Sequence, residues 1–283
     1  MNISPRQKAV LLASLAIGLA ALTPSASALT IVRNFAGGAA PGNTAGGGNL
    51  VTLFNAAADR WEAAILDAHV VTINFSWGAQ SGGTLAAHSL VTQGGAPNRE
   101  TAGNIVFDND GSSLWFMDAT PLNNSEFTTY TESSANFGGG TMNTGKVYTG
   151  ATGDAVGRFD LLTTAIHEIG HALGLSGANT AFQAGNGDLD VDVTAPRPFA
   201  GSSIPTVSGA HLDIVTSMMY PFANSGERKD LSVADIIANA QISQFTNLNL
   251  GTNPPPVADG GSSLLMLLAG LAAIAGWRRK SAQ

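Results

Sequence analysis

Residues 164–174 have the sequence TAIHEIGHALG, which contains the pattern H-E-x-x-H. His167 and His171 are four residues apart, so on a helix both imidazoles face the same side. Glu168 stands beside them. Two nitrogen ligands and a neighbouring carboxylate that serves as general base are the side chains of a hydrolytic zinc site. The alternative is a helix with two surface histidines beside an acid.

The residues around this pattern predict a buried helix. Asp160 precedes the run and is a suitable N-cap. Apolar residues then recur at helical spacing on more than one face: Leu161, Leu162, Ala165, Ile166, Ile169, Ala172 and Leu173. Polar side chains in so apolar a helix need polar partners, and a metal ion is such a partner.

A catalytic zinc site uses a third protein ligand and leaves one position for water. The chain has no Cys, so thiolate ligands are excluded. One histidine follows the helix, His211, in the segment GAHLDIVTSMMYP at 209–221, and no Glu occurs between Glu168 and Glu227. His211 is therefore the first candidate. An aspartate is the alternative third ligand, and the candidates are Asp188, Asp190, Asp192 and Asp213.

These motifs resemble those of the metzincin metallopeptidases. In the matrixin branch the third histidine is followed eight residues later by the methionine of a tight turn, within M-Y-P. Met219-Tyr220-Pro221 follows His211 at that spacing. The family pattern H-E-x-x-H-x-x-G-x-x-H is matched as far as Gly174, but Gly177 stands where the third histidine is expected. The chain is similar to a metzincin with an insertion at 176–210, as in leishmanolysin-like members.

The resemblance covers about residues 50–222. It implies an α+β, metzincin-like zincin fold, with a twisted mixed sheet, an N-terminal helix, an active-site helix and an irregular C-terminal subdomain. It implies a zinc-dependent endopeptidase that hydrolyses peptide bonds with a metal-activated water and a glutamate general base. The substrate, a protein or peptide, would pair with an edge strand of the sheet.

Site residues follow from the same resemblance. Zn²⁺ would be bound by the histidines at 167, 171 and 211, and Glu168 would be the base. Met219 would form the floor of the site. Tyr220 is a weaker candidate for stabilising the oxyanion, because the expected spacing from the turn methionine holds from Met218 and not from Met219.

Other segments predict further elements. Residues 50–68 have apolar residues at helical spacing, and residues 69–77 alternate like a strand. Residues 105–107 and 114–116 are short strand candidates, and residues 231–239 predict a last helix. Within the insertion, Asp188, Asp190 and Asp192 alternate, so their carboxylates could bind Ca²⁺; solvated turn chemistry is the alternative.

Both ends have features of targeting segments. Residues 1–28 have a basic start, an apolar run and an A-x-A site, as in a secretory signal peptide. Residues 29–250 would then form the metallopeptidase domain that the resemblance implies. Residues 251–283 contain V-A-D-G-G-S, an apolar run and a basic end, which resemble the V-P-D-G-G-S variant of PEP-CTERM sorting signals, except at Ala258. A short membrane anchor is the alternative interpretation.

These ends predict an exported protein at the cell surface, in the extracellular matrix or secreted, and a membrane-located processing or sorting enzyme as a partner. The net charge of −7 disfavours nucleic acid as a partner, because phosphates repel an acidic surface. A monomer is expected. The competing functional hypotheses are a non-catalytic zinc-containing surface or matrix binding protein and a metal-dependent hydrolase of a non-peptide bond. The intact Glu168 favours catalysis.

Overall fold

The computed structural model describes residues 28–251, which form an α+β arrangement of four α-helices and several small sheets. The predicted signal peptide and sorting signal lie outside the described residues, apart from residues 28 and 251. Within the described part, no helix is both long and apolar enough to cross a membrane.

The first helix, α1, spans Leu50–Ala64 and begins where predicted. Its N-cap Asn49 accepts a hydrogen bond from the backbone N–H of Thr52 at 2.9 Å. The predicted end at residue 68 is wrong. Ile65 is already extended and forms a bridge with Leu248, so pairing with the end of the described chain terminates the helix.

A four-stranded mixed sheet packs against α1. Its strands are β1 (Leu29–Gly37), β2 (His69–Gly78), β3 (Ala86–Gly94) and β4 (Arg99–Asp108), in the order β1-β2-β4-β3. β1, β2 and β4 are parallel, whereas β3 is antiparallel to β4 and lies at the edge. The predicted strand at 69–77 is confirmed, and the candidate at 105–107 lies within the longer β4.

Short strands and one long hairpin follow. They are β5 (Trp115–Phe116), β6 (Phe127–Asn136), β7 (Thr141–Ala151) and β8 (Phe159–Asp160). β5 and β8 pair in parallel, whereas β6 and β7 form an antiparallel hairpin to which β12 (Arg228–Asp230) adds. The candidate strand at 114–116 is thus confirmed as the two-residue β5.

The second helix, α2, spans Leu161–Ala172 and carries the H-E-x-x-H pattern. It packs on α1, where the Trp61 indole N–H donates to the Ile166 carbonyl at 2.9 Å. Around this contact lies the main core, and the rings of Phe54 and Phe75 stack between α1 and the sheet with centroids 3.9 Å apart.

The remaining elements form a smaller C-terminal part. They are α3 (Thr180–Gly185), β9 (Asp190–Asp192), β10 (Ser203–Val207), β11 (His211–Leu212) and α4 (Val233–Ser243). α4 is the predicted last helix, shifted by two residues at its start. Its N-cap Ser232 and Asp235 form a capping box. A second core cluster lies between α4 and the insertion 176–210.

Candidate metal centre

The start of α2 is fixed by buried polar contacts. Asp160 is the N-cap, as predicted, and accepts hydrogen bonds from the backbone N–H and the hydroxyl of Thr163 at 3.0 and 2.7 Å. Arg228 donates to both oxygens of the same carboxylate, at 3.0 and 2.9 Å. These contacts hold the first turn of α2, and so they set the direction in which its later side chains project.

His211 reaches the same place from the insertion. The strand β10 turns back on itself at residues 208–210, and Val207 then pairs with His211 in β11. Gly209 and Ala210 both have positive φ, +89° and +62°. A Cβ at Gly209 would lie 3.0 Å from Nδ1 of His211, so glycine leaves room for this imidazole.

The three histidines form a compact triangle. The ring centroids of His167 and His171 are 4.8 Å apart, those of His167 and His211 are 5.1 Å apart, and those of His171 and His211 are 4.8 Å apart. One nitrogen of each ring lies within 4.8 Å of the other two. The residues that the sequence singles out are thus brought together from two distant segments.

The hydrogen bonds of the histidines indicate which ring nitrogens have a lone pair that could bind a cation. Nδ1 of His167 lies 2.8 Å from the carbonyl oxygen of Met218, and Nδ1 of His171 contacts the carbonyl oxygen of Leu175. A carbonyl only accepts, so each Nδ1 carries the hydrogen and each Nε2 of the neutral ring carries a lone pair. The two Nε2 atoms are 3.1 Å apart.

Two facing lone pairs at that distance repel, and a cation between them removes the repulsion. Tetrahedral zinc with bonds of about 2.0–2.1 Å places its ligand nitrogens about 3.3 Å apart, close to the observed separation. Nδ1 of His211 is also buried and has no hydrogen-bond partner within residues 28–251. The donor set and its spacing therefore fit a zinc ion.

The environment favours the neutral form of all three imidazoles, which is the form that binds a metal. The pKa of His167 is lowered to about 4, chiefly by burial and also by the charges of His211 and Lys229, whereas the hydrogen bond to Met218 raises it. Burial, followed by the other two histidines, lowers the pKa of His171 well below its usual value. Burial also lowers the pKa of His211.

Glu168 lies next to the triangle and lines the same cleft. Burial raises the pKa of its carboxyl group to about 8, and a hydrogen bond with the backbone of His88 on β3 acts in the opposite direction. A bound cation would lower this pKa again, because an opposite charge favours the carboxylate. Glu168 thus has an environment in which it can both accept and hold a proton.

The turn after His211 packs beneath α2. The backbone N–H of Leu212 donates to the carbonyl of Met219 at 2.9 Å, which closes the turn. The Asp235 carboxylate accepts from the backbone N–H groups of Met218 and Met219 at 3.1 and 2.9 Å. Met219 is fully buried and contacts α2 at Gly170, where a Cβ would lie 2.3 Å from its Sδ.

A cleft of about 760 Å³ opens over these residues. One wall is the edge strand β3 with the residues before it, from Gly82 to Leu90. The opposite wall contains Tyr220 and the exposed Phe222, whose rings are 5.7 Å apart. The cleft therefore lies between a sheet edge and the turn that follows the third histidine.

The aspartates of the insertion form a separate cluster. One carboxylate oxygen of each of Asp188, Asp190 and Asp192 lies within 4.8 Å of the other two. The first and last are exposed, and Ser203 donates to Asp192. Asp213, the remaining aspartate candidate, is exposed on the turn. Exposed carboxylates often gather without an ion, so calcium at this cluster stays a prediction.

Three residues near the centre have no sequence motif to indicate them. His88 lies on β3 with its ring centroid 6.3 Å from that of His171, and its Nε2 is 2.8 Å from a carboxylate oxygen of Glu100. Burial raises the pKa of Glu100, and the contact with His88 opposes this shift. Lys229 lines the cleft from β12. Strand pairing between distant segments brings these side chains to the site.

Comparison with protein-family models, with curated proteins and with solved structures finds no match.

Proposed function

We propose that this chain is an exported zinc endopeptidase of the metzincin type. The observation that carries the proposal is the triangle of His167, His171 and His211 with Glu168 beside it, at the base of a cleft bordered by a sheet edge. The proposal that the protein is exported rests on the predicted signal peptide. The mixed sheet and the buried methionine turn support the metzincin type.

Nε2 of His167 and Nε2 of His171 would hold zinc, with the Nδ1 hydrogens of both rings fixed on carbonyl oxygens. One ring nitrogen of His211 would be the third ligand. A bound zinc ion supplies Lewis acidity, which polarises the scissile carbonyl and makes water more acidic. Glu168 then accepts the proton of the attacking water on a carboxylate oxygen and passes it to the leaving amine nitrogen.

The edge strand β3 would bind the substrate backbone. Within residues 28–251 it pairs only with β4, and its residues line the same cleft as Glu168. An extended peptide can add to such an edge by backbone hydrogen bonds. A hydrogen bond with the backbone of His88 opposes the rise in the pKa of Glu168, so the same strand lies next to the proposed base.

Hydrolysis of casein by the zinc-loaded protein tests this function. We expect activity that a chelator removes and added zinc restores. Glu168→Gln should keep one zinc per chain and lose activity by at least about 10²-fold, the lower end of the usual contribution of a general base. Glu132→Gln, which alters an acid on the β6–β7 hairpin, is the matched control and should remain active.

Zinc binding without hydrolysis by the unaltered protein would instead favour a non-catalytic zinc-containing binding protein. Full activity of Glu168→Gln would contradict the proposed mechanism. Measuring the zinc content and the rate of casein hydrolysis on the same preparation distinguishes these two outcomes.

A further inference from the structure

Lys229 is a buried cation on the wall of the cleft. The residue is 5% exposed, on the short strand β12. Lysine is rarely buried without an ion-pair partner. Within residues 28–251, Lys229 forms no ion pair, although four other basic side chains and His88 do.

The position of the ammonium group is set by the turn after His211. Nζ donates to the carbonyl oxygens of Val215 at 2.8 Å and Ser217 at 3.0 Å. An ammonium has three N–H donors, so one remains. Nζ lies 5.2 Å from the ring centroid of Tyr220, which lines the cleft. The charge is therefore close to the cleft and to the candidate metal ligands.

The nearest acidic groups already have other partners. Asp235 and Glu227 are the carboxylates whose charges act on Lys229. Asp235 accepts from Ser217, Ser232 and the backbone of the turn. Glu227 accepts from the Asn224 side-chain amide at 2.9 Å. Neither carboxylate neutralises the ammonium by direct contact.

The rest of this wall offers little to a charged ligand. Among the residues that line the cleft, Glu168 and Lys229 are the only ones of the Asp, Glu, Lys and Arg types. The hydroxyl of Thr163 donates to Asp160 and accepts from the Lys229 backbone, so it is already engaged. Phe159, Met218, Pro221 and Phe222 are apolar, and the phenol of Tyr220 is the remaining polar group of this wall apart from Thr164, whose hydroxyl donates to the Asp160 carbonyl.

From this arrangement we propose that Lys229 selects substrates with an Asp or Glu side chain next to the scissile bond. The inference rests on the proposed peptidase function and names its substrate class. The substrate carboxylate would accept the remaining N–H of Nζ. A charge-assisted hydrogen bond in an apolar cleft is stronger than one made in water. A neutral Gln or Asn side chain would form a weaker hydrogen bond with Nζ, because it carries no negative charge.

Paired peptides test the inference on the zinc-loaded full chain. A peptide cleaved out of casein is made with Glu or Gln at each position that flanks the scissile bond. At one position kcat/KM should favour Glu over Gln by about tenfold, as the usual strength of a hydrogen bond to a charged group indicates. Lys229→Met should reduce this ratio to about one, whereas Lys229→Arg should keep it above one.

The readout is the ratio of kcat/KM for the Glu peptide to kcat/KM for the Gln peptide, because Lys229 also stabilises the turn after His211. Loss of the two carbonyl contacts would slow the cleavage of both peptides by the same factor and leave the ratio unchanged. A Glu-to-Gln ratio near one at every position in the unaltered protein would overturn the proposal and leave Lys229 as a support of the turn. A ratio unchanged in Lys229→Met would overturn it as well.

A binding measurement separates this inference from the proposed function. Zinc-loaded Glu168→Gln is titrated with fluorescein-labelled alanine-rich hexapeptides that carry one Glu or one Gln at each position in turn. Fluorescence anisotropy should show tighter binding of a Glu peptide, and Lys229→Met in the same background should abolish the difference. This result requires no hydrolysis. Equal affinities for all Glu and Gln pairs would contradict the role of Lys229, whether or not the protein cleaves casein.

Discussion

Gly170 lies between the two helix histidines and is needed for packing. A Cβ at this position would lie 2.3 Å from Sδ of Met219 and 3.1 Å from the Trp61 ring, both fully buried. Because these neighbours have little room to move, a larger side chain would separate α2 from the turn beneath it. The glycine therefore couples α2 to the turn that follows His211.

Gly170→Val should lower the free energy of unfolding by about 2 kcal/mol, in the range for overpacking a core. Thermal unfolding should shift down by roughly 4–8 °C for a domain of this size. Gly177→Val is the matched control, since a Cβ there has no atom within 4 Å. Equal melting temperatures of the two variants would show that Met219 moves to accommodate the larger side chain without loss of stability.

The stability of the metal-free protein should depend on the charge of Glu168. Burial raises the pKa of this carboxyl from 4.5 to about 8 in the folded state. Between these values the folded chain binds more protons than the unfolded chain, so this contribution to stability is lost as the pH rises through that window. A glutamine at this position has no charge to lose.

Glu168→Gln should therefore become more stable relative to the unaltered protein as the pH rises from about 5 to about 8.5. The relative gain should be at least about 1.4 kcal/mol, the equivalent of one pKa unit. Calorimetry of both proteins in a chelator at the two pH values measures it. The comparison cancels the effect of the histidines, which both proteins share. A constant difference across this range would show that Glu168 ionises normally.

At the level of elements, the insertion 176–210 has a definite structural role. It returns through β10, and its last turn delivers His211 to the end of α2. Its acidic cluster lies around β9, which pairs with β10 on the side opposite to β11, so one strand separates the aspartates from the strand that carries His211. The two parts of the insertion should therefore be separable by substitution.

His211→Ala should weaken zinc binding by more than about 100-fold, because loss of an outer partner of a ligand already costs about 10–100-fold. Replacing Asp188, Asp190 and Asp192 together by Asn should leave zinc affinity near that of the unaltered protein. Competition with a chromophoric chelator measures both. If His211→Ala still bound zinc tightly and the triple Asn variant bound it weakly, the third ligand would be an aspartate.

α2 could be predicted from sequence because its evidence is local. The N-cap Asp160, the apolar spacing and the pair of histidines four residues apart all lie within 13 residues of one another. The edge strand β3 could not be predicted in this way. Its burial pattern is irregular, with polar residues on a half-exposed strand, so it lacks the alternation that marks β2.

At the scale of the whole molecule, Arg228 joins separate segments. Its guanidinium is fully buried and donates to Asp118 and Asp160, and to Asn123 and Asn124 in the loop before β6. Burial alone would lower the pKa of Arg228, but the two aspartates outweigh this effect and raise it. The contact holds the start of α2 against β12, the strand that also carries Lys229.

Arg228→Met should lower the free energy of unfolding by about 3–5 kcal/mol, because it leaves two buried carboxylates without their cation. Denaturant unfolding measures the loss. Lys146→Met is the matched control. It removes an ion pair with the half-exposed Glu132, which should cost less than about 1 kcal/mol. Similar losses in both variants would mean that Arg228 does not stabilise the start of α2.

The grouping of the three histidines with Glu168 could be predicted from sequence, whereas the positions of Lys229 and His88 beside them could not. The motif residues are identified by spacing along one helix and along one turn. Lys229 reaches the cleft because β12 pairs with β7, and His88 reaches it because β3 pairs with β4. These pairings join residues that are far apart in sequence, so no local pattern indicates that either side chain belongs to the site.

Zinc held by His167, His171 and His211 is the basis of the proposed function, and anomalous diffraction at the zinc edge tests it directly. Crystals of the zinc-loaded chain should show one strong peak about 2.0–2.1 Å from Nε2 of His167, from Nε2 of His171 and from one ring nitrogen of His211. No peak in the histidine triangle, or a peak bound by Asp188, Asp190 and Asp192 instead, would contradict the assignment.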